Sequence, residues 1–353
     1  MAVYASVKQV IGWLGLTSFL VGLDIGSQNI KLVQLAHGSA NFSLQHWGIV
    51  KLPSPHAASV PLFTRSIQQE ALQTLLKETP YRARRAAVAV SGTSVMAKRV
   101  RLPGMPVDQI RQYLYEEGQQ YVPDALDEVY LDYHILSPSL TPSSEQSLEI
   151  LLVAARRDVV DARCQIVKEA GFIPTVCDME GLALANMYTV MYGPQPGAVM
   201  LVEMGARHIT ICVLENGVPW VLQDSSVMEG RGCDMTKRAT EQDFRETGSS
   251  CEMQDHAECS ALGQMVAGEI SRMQYYLAEH RPSLALTRIL LCGGYALVPK
   301  VLDTVAKRVS CPVELANPFR RVTLPRKAQD ELLSLAPLFT LAVGLALRKI
   351  DEP

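Results

Sequence analysis

The sequence lacks the marks of several large protein classes. Its eight cysteines include no CxxC pair, which argues against a disulfide framework and for reduced, buried thiols in a cytosolic protein. Neither sign of charge dominates, because 33 Lys and Arg stand against 36 Asp and Glu. The chain therefore has no general electrostatic drive toward nucleic acid or anionic lipid. The motifs GxxxxGK[ST], GxGxxG after a strand, HExxH, GxSxG and the kinase catalytic loop are all missing.

The N-terminal segment is apolar but short. Gln9 to Leu23 carries no charge, yet it falls short of the roughly 20 residues that a membrane-spanning helix requires. Residues 21–24 provide no small-x-small cleavage site for a signal peptidase. We therefore expect residues 1–20 to form an amphipathic segment that packs on its own domain or rests on a membrane surface. The chain as a whole is expected to be soluble and cytoplasmic.

An internal repeat divides this chain of 353 residues, which is too long for one simple core. Residues 23–38 align without gaps on residues 202–217, about half the chain later. Each copy is a hydrophobic strand, a glycine turn preceded by an acid, and a second strand that ends at a glycine, which predicts a β-hairpin. The repeat therefore predicts two similar α/β lobes. Four positions coincide: Gly26 with Gly205, Ile30 with Ile209, Leu35 with Leu214, and Gly38 with Gly217.

Each predicted lobe ends in a helix rich in small residues. These helices cover residues 178–187 and 336–347, where Ala and Gly recur among apolar side chains. Small residues allow two helix backbones to approach closely. We expect the two helices to pack as a pair at the hinge between the lobes, although ordinary core helices would show the same composition.

Two further segments interrupt the lobes. Residues 84–173 are expected to form an inserted α+β subdomain, with strands at 86–91, 95–102, 127–136 and 149–155 and helices from 107 and over 157–170. Residues 228–285 are expected to be a mostly helical subdomain, with a polar loop over 242–258. The first lobe then comprises residues 21–83 and 174–196, and the second comprises residues 197–227 and 286–353.

The two acid-x-Gly turns are candidate phosphate loops, because a turn without a Cβ can present backbone N–H groups to an anion. One such turn is weak evidence, since any tight hairpin can use glycine. A third turn, Gly293-Gly294, follows the strand at 288–292 and precedes a helix expected over 298–309. Two loops in register and a third glycine turn together favour a nucleotide site between the lobes.

Cys251, His256 and Cys259 could suggest a metal cluster. Their spacing matches no usual zinc site, and they fall within the expected polar loop. We therefore expect them to be unligated surface residues.

The order of these motifs resembles the actin-like ATPase superfamily and, within it, the PilM family of type IV pilus assembly proteins, which is related to the FtsA cell-division proteins. The resemblance covers nearly the whole chain, and several of its motifs are particular to this family. They are GLDIGSQNIKL (residues 22–32), the strand pair 88–102 ending in Leu102-Pro103, EEGQQYVP (116–123), LDY (131–133), DMEGLALAN (178–186), LCGGYALVP (291–299) and ANPF (316–319).

The resemblance implies a duplicated actin-like (ribonuclease H-like) two-lobe α/β fold with an FtsA-like inserted α+β subdomain. It also implies ATP and Mg²⁺ between the lobes, with Asp24 and Glu203 at the metal. The resemblance further implies that the nucleotide contacts two phosphate loops, a turn at the adenosine, and residues at the base and ribose. These are the first loop (Asp24, Gly26, Ser27, Gln28, Lys31), the second loop (Glu203, Gly205, Ala206, Arg207), the adenosine turn (Gly293, Gly294, Tyr295), and Gly230, Gly232 and Lys237 at the base and ribose.

One position departs from the pattern. The second loop usually begins with Asp, and here Glu203 stands in its place. Glutamate is one methylene longer, so a metal-bound water would be displaced by roughly an ångström, which can cost about a hundredfold in rate. No obvious water-activating acid is found in the insert. We expect nucleotide to bind and to be hydrolysed slowly or not at all.

The resemblance implies a scaffold of the pilus inner-membrane platform that docks the cytoplasmic N-terminal peptide of PilN and links the platform to its motor. A groove between the inserted subdomain and the first lobe would take an extended peptide with micromolar-range affinity. An alternative is a small-molecule, sugar-type kinase of the same fold, for which Asp108 and Asp132 are candidate bases. A filament or other homo-oligomer also stays open.

Overall fold

A computed structural model describes residues 20–38, 41–52, 61–78, 84–136, 147–193, 195–225 and 255–348. The expected N-terminal segment and the candidates Gly230, Gly232 and Lys237 lie outside these residues. The strands are β1 (Val21–Ile25), β2 (Asn29–His37), β3 (Phe42–Lys51), β4 (Arg85–Val90), β5 (Val95–Leu102), β6 (Val129–Ile135), β7 (Leu148–Arg156), β8 (Ile173–Met179), β9 (Ala198–Met204), β10 (Ile209–Glu215), β11 (Val218–Ser225), β12 (Leu286–Cys292), β13 (Val313–Leu315) and β14 (Val322–Thr323). The α-helices are α1 (Pro61–Glu78), α2 (Val107–Glu117), α3 (Arg157–Glu169), α4 (Glu180–Tyr192), α5 (Asp255–His280), α6 (Val301–Ala306), α7 (Gln329–Ser334) and α8 (Thr340–Ala346).

The two lobes repeat one sheet topology. The first sheet has the order β14-β3-β2-β1-β4-β8 and the second has the order β11-β10-β9-β12-β13. In both, three antiparallel strands in sequence are followed by strands that pair in parallel, β4 with β1 and β12 with β9. Since β3-β2-β1-β4-β8 and β11-β10-β9-β12-β13 match strand for strand, the duplicated actin-like fold is confirmed. The two predicted hairpins are β1–β2 and β9–β10.

Side chains of each sheet alternate between an outer and an inner core, as expected for strands buried on both faces. In β1, Val21, Leu23 and Ile25 face an outer core that includes residues of α1 and α3. In β9, Met200 and Val202 face the outer core of the second lobe, which includes residues of α5. The inner faces share one core with α4 and α8, which lie between the lobes.

The small-residue helices pack against each other between the lobes, as their composition predicts. A Cβ added to Gly344 of α8 would lie 2.1 Å from the carbonyl oxygen of Ala183 in α4. Asn186 Nδ2 also donates to the carbonyl oxygen of Gly344 at 2.9 Å. On the other side of α8, a Cβ added to Gly22 of β1 would lie 2.0 Å from the carbonyl oxygen of Ala342. Glycine at these two positions therefore allows α8 to contact both α4 and β1.

The inserted subdomain is smaller than the range expected from the sequence. Its three-stranded sheet, β5-β7-β6, encloses a core with α2. The strand β4 instead pairs with β1 and β8 in the first sheet, and α3 packs on the outer core of the first lobe. The range 84–173 is therefore too wide at both ends, and we propose residues 95–156 as the subdomain. At the other end of the chain, β14 pairs with β3, so part of the expected second lobe completes the first sheet.

The structure also corrects the predicted bounds of two helices and the predicted exposure of Cys259. The helix α5 begins at Asp255, inside the expected polar loop, and Cys259 is buried in it rather than on the surface. The helix expected over 298–309 is the shorter α6, which follows a 3-10 helix at Gly294–Leu297. All six cysteines within the described ranges are buried and form no disulfide. No helix in those ranges combines the length and apolar composition needed to cross a membrane.

Candidate functional site

The two glycine turns have the same local geometry. The N–H of Gly26 donates to the carbonyl oxygen of Asn29, and the N–H of Gly205 donates to the carbonyl oxygen of His208, both at 3.1 Å. These bonds close the turns that join β1 to β2 and β9 to β10. They also occupy the glycine N–H groups, so any anion at these turns has to be bound by the amides that follow.

The acid of the first turn has a paired cation. Asp24 and Lys31 lie opposite each other in the β1–β2 register, and Lys31 Nζ donates to Asp24 Oδ2 at 2.8 Å. Both side chains are about nine-tenths buried. The pair holds a carboxylate and an ammonium together at the end of the first hairpin, where most of their hydration is lost.

The acid of the second turn has no such cation. Glu203 is buried in β9, and its pKa is raised to about 8, first by burial and next by the negative charge of Glu180. The charges of Asp24 and Lys31, from the other lobe, also act on the pKa of Glu203. The structure therefore brings the two hairpin ends together in one group of buried and half-buried charges. We call Asp24, Lys31, Glu180, Glu203 and His208 the inter-lobe cluster.

His208 and Glu180 form the other half of the inter-lobe cluster. His208 Nε2 lies 3.0 Å from Glu180 Oε2 and 3.0 Å from Ser91 Oγ. Burial lowers the pKa of His208, but the hydrogen bond and the charge of Glu180 outweigh it and raise that pKa to about 9. Burial raises the pKa of Glu180, yet its bond to His208 leaves that pKa below the usual range. At neutral pH the two therefore form a half-buried ion pair.

A second contact joins the lobes beside this ion pair. Asp224 of β11 accepts from the backbone N–H of Gly92 at 2.6 Å and from Thr210 Oγ1 at 2.6 Å. Gly92 follows β4 and leads into the inserted subdomain, while Thr210 belongs to β10. The loop that enters the insert is thus fixed to the second lobe next to the inter-lobe cluster.

The third glycine turn lies against the same carboxylate. Gly293 has a φ of +87°, and a Cβ there would lie 2.6 Å from Glu203 Oε1. Glycine is therefore required both by conformation and by space. Tyr295 is buried in the outer core of the second lobe, so a nucleotide at this turn would meet its backbone rather than its ring.

The remaining candidates are spread more widely. Ser27, Gln28 and Ala206 are half-buried at the turns, whereas Arg207 is exposed. Among the alternative bases, Asp108 lies exposed in α2, and Asp132 lies in β6, where it accepts from the backbone N–H of Tyr133.

Sequence reasoning missed Glu180, Ser91, His208 and Asp224. A signal existed for Glu180, because it is the first residue of a helix that directly follows a parallel strand. His208 is aligned with Asn29 in the internal repeat, but most positions of the repeat differ, so this difference did not single it out. Ser91 and Asp224 had no such sign, since only the folded chain brings them near the cluster.

The cluster predicts how stability depends on pH. The folded pKa values of Glu203, about 8, and His208, about 9, exceed their ordinary values of 4.5 and 6.5. The folded state then holds protons that the unfolded state has released. The free energy of unfolding should therefore fall as the pH rises from about 4.5, where Glu203 ionises in the unfolded chain, to about 9. The Glu180 carboxyl acts in the opposite sense, but only below its ordinary pKa of 4.5.

Melting curves between pH 6 and pH 9 test this prediction. Glu203→Gln keeps the shape of the side chain and removes its ionisation, so the decline in melting temperature should become shallower in this variant. Equal slopes in the two proteins would contradict the placement of a buried, protonated Glu203.

Comparisons with known proteins agree with this architecture. A family model described as type IV pilus assembly protein PilM matches residues 22–350. A chain of a solved PilM–PilN type IV pilus biogenesis complex is 20% identical, with a TM-score of 0.74 over 94% of this chain and 98% of that one. The ethanolamine utilization protein EutJ from Carboxydothermus hydrogenoformans is 13% identical, with a TM-score of 0.46 over 94% and 89%. An archaeal actin homologue in complex with ADP is 13% identical, with a TM-score of 0.43 over 93% and 98%. At 20% identity, the likeness to the chain of the PilM–PilN complex concerns the fold alone. The family model spans nearly all of the sequence, and the chain belongs to the PilM family of type IV pilus assembly proteins.

Proposed function

We propose that this chain is an ATP-binding scaffold of the type IV pilus assembly platform, located in the cytoplasm at the inner membrane. In this role it binds the cytoplasmic N-terminal peptide of PilN and connects the platform to the pilus motor. Family membership supports the role in pilus assembly. The observation that carries the nucleotide part is the meeting of Asp24, Lys31 and Glu203 from two equivalent hairpin turns.

The residues at the two turns fit a nucleotide with Mg²⁺. Lys31 supplies a buried cation beside the first turn, and the amides of Ser27, Ala206 and Arg207 follow the turn glycines. Asp24 and Glu203 supply carboxylate oxygens, the ligand type that Mg²⁺ prefers. Glu203 is buried and held protonated, so a divalent cation beside it would replace that proton. The bound cation would neutralise phosphate charge, while the chain supplies position and the exclusion of water.

Hydrolysis of ATP is expected to be slow. Glu203 is longer than the Asp that the family pattern has here, and Glu180 is engaged by His208, so neither carboxylate is placed freely to activate a water. Release of phosphate from ATP–Mg²⁺ by the purified protein should stay close to background over an hour. Rapid steady-state turnover that disappears in Glu203→Ala would contradict this expectation.

The PilN peptide is proposed to bind between the inserted subdomain and the first lobe. Support comes from the family and from the likeness to a chain solved in complex with PilN. The expected recognition is by backbone pairing together with two or three apolar pockets for Leu and Pro side chains. The small sheet β5-β7-β6 offers strands at its edges for such pairing. The affinity should lie in the micromolar range because an extended peptide loses much freedom on binding.

Fluorescence anisotropy tests this proposal directly. A labelled peptide with the sequence of the PilN N-terminus should bind the full chain saturably, with a Kd on the order of micromolar. The matched control is the same peptide with its Leu and Pro residues replaced by Ser, which should bind at least tenfold more weakly. An absence of saturable binding, or equal binding of both peptides, would overturn the scaffold proposal and leave the nucleotide proposal standing.

A further inference from the structure

The two halves of the internal repeat differ at one buried pair of positions. In the first hairpin, Lys31 neutralises Asp24. The aligned residues of the second hairpin are Glu203 and Thr210, and Thr210 Oγ1 donates to Asp224 instead. The second hairpin therefore has a buried acid but not the cation that faces the acid in the first hairpin.

Glu203 is consequently a buried carboxyl group without a fixed donor. The exposed fraction of Glu203 is 8%. No side chain or amide in the described part of the chain donates a hydrogen bond to its carboxyl group. A carboxylate in such surroundings needs a proton or a cation. The charges of Lys31 and His208 act on Glu203, but each of these cations is bonded to another carboxylate.

The groups beside Glu203 are a second carboxylate and an imidazole. One oxygen of Glu203, one oxygen of Glu180 and one ring nitrogen of His208 all lie within 4.8 Å of one another. Metal–ligand bonds of about 2.0–2.2 Å place the ligand atoms of a tetrahedral ion about 3.3–3.6 Å apart. Small side-chain rotations therefore bring the three atoms to bonding distance of one ion.

Two of the three side chains are held by regular structure, and the third lies in a tight turn between two strands. Glu180 is the first residue of α4 and Glu203 belongs to β9. His208 directly precedes β10, and the Gly205 to His208 backbone bond fixes it. A site built on strands and a helix is better organised in advance than one on loops. Ser91, the other contact of His208 Nε2, could turn to Glu180.

We propose that Glu180, Glu203 and His208 form a site for a divalent transition-metal ion, of which Zn²⁺ is the test case, and that this site fills without nucleotide. Imidazole with carboxylate suits Zn²⁺, whereas Mg²⁺ prefers oxygen ligands and keeps several of its waters. Binding of the ion displaces to solvent the protons that His208 and Glu203 hold at neutral pH. The two carboxylates and the neutral imidazole that remain balance the charge of the ion. Three protein ligands leave a coordination position open. The site shares Glu203 with the proposed nucleotide site but does not depend on it.

Titration of the nucleotide-free full chain tests the site. Zn²⁺ should raise the melting temperature saturably, and Co²⁺ should bind one equivalent with a visible absorption typical of nitrogen and oxygen ligands. His208→Asn introduces the residue that the first hairpin has at the aligned position, and it should weaken Zn²⁺ binding at least tenfold. Glu203→Gln should do the same. The matched control is His280→Asn on α5, which should bind Zn²⁺ as the unaltered chain does.

Three results would overturn the site. They are no saturable Zn²⁺ binding, unchanged binding in both His208→Asn and Glu203→Gln, and a near-ultraviolet thiolate absorption with Co²⁺, which would assign the ion to cysteines. The nucleotide proposal is judged separately, by binding of ATP–Mg²⁺ to the unaltered chain without transition-metal ions. If the unaltered chain bound Zn²⁺ but not ATP–Mg²⁺, the nucleotide site alone would be refuted.

Discussion

Gly344→Ala is expected to destabilise the protein by at least about 3 kcal/mol, at or beyond the upper end of typical overpacking costs. The new Cβ would lie 2.1 Å from the carbonyl oxygen of Ala183, and a backbone atom cannot turn away as a side chain can. The helices α4 and α8 would have to separate, which disturbs the core shared by both lobes. Urea denaturation followed by circular dichroism measures the loss.

Gly268→Ala provides the matched control. Gly268 lies in α5, it is exposed, and a Cβ there meets nothing within 4 Å. Alanine in a helix is favoured over glycine by about 0.5–1 kcal/mol, so this variant should be unchanged or slightly more stable. Similar effects of the two substitutions would show that the helix contact at Gly344 is not as close as the structure has it.

Lys31→Met is expected to have the second large effect. Methionine keeps most of the apolar length of the side chain, but it leaves Asp24 buried without its cation. Removing one partner of a buried ion pair typically costs about 3–5 kcal/mol. Binding of ATP–Mg²⁺ should also be lost, because the site then has no buried cation for phosphate. Denaturation and equilibrium nucleotide binding measure the two effects.

A double variant separates the two effects. Lys31→Met with Asp24→Asn removes both charges, so much of the lost stability should return, since no buried charge is left without a partner. Nucleotide binding should not return. If nucleotide bound equally well to the double variant and to the unaltered chain, Lys31 would have no part in the site.

Most of the fold could be predicted from the sequence, because the duplication is visible as an internal repeat. Gly26 and Gly205 align, each follows an acid by two positions, and both close the turn of a β-hairpin in the structure. The small residues of the two hinge helices likewise predicted a close contact, which Gly344 makes with Ala183. These features depend on local pattern, and a single sequence records local pattern well.

The limits of the insert could not be read in the same way. The strand β4 has the composition of any buried strand, and only its pairing with β1 and β8 shows that it belongs to the first sheet. Strand pairing is a long-range property, so composition does not reveal it. The same holds for β14, which crosses back to pair with β3.

The protonation states and ion pairs of the site could not be predicted from the sequence either. Glu203 was identified as an acid at the second turn, but its protonation follows from burial and from Glu180. The ion pair of Glu180 with His208 joins residues from different elements. Such contacts arise only when the lobes close on each other, and they determine which charges remain for a ligand.

Equilibrium binding of ATP–Mg²⁺ to the unaltered chain tests the central claim most directly. The claim is that the hairpin ends at Asp24 and Glu203 face one nucleotide. A ligand that binds only the folded state stabilises it by RT ln(1 + [L]/Kd), and so raises the melting temperature further as the ligand concentration increases. The account predicts a rise with ATP–Mg²⁺ that is absent in Lys31→Met. No rise at millimolar ATP–Mg²⁺, or an equal rise in both proteins, would contradict it.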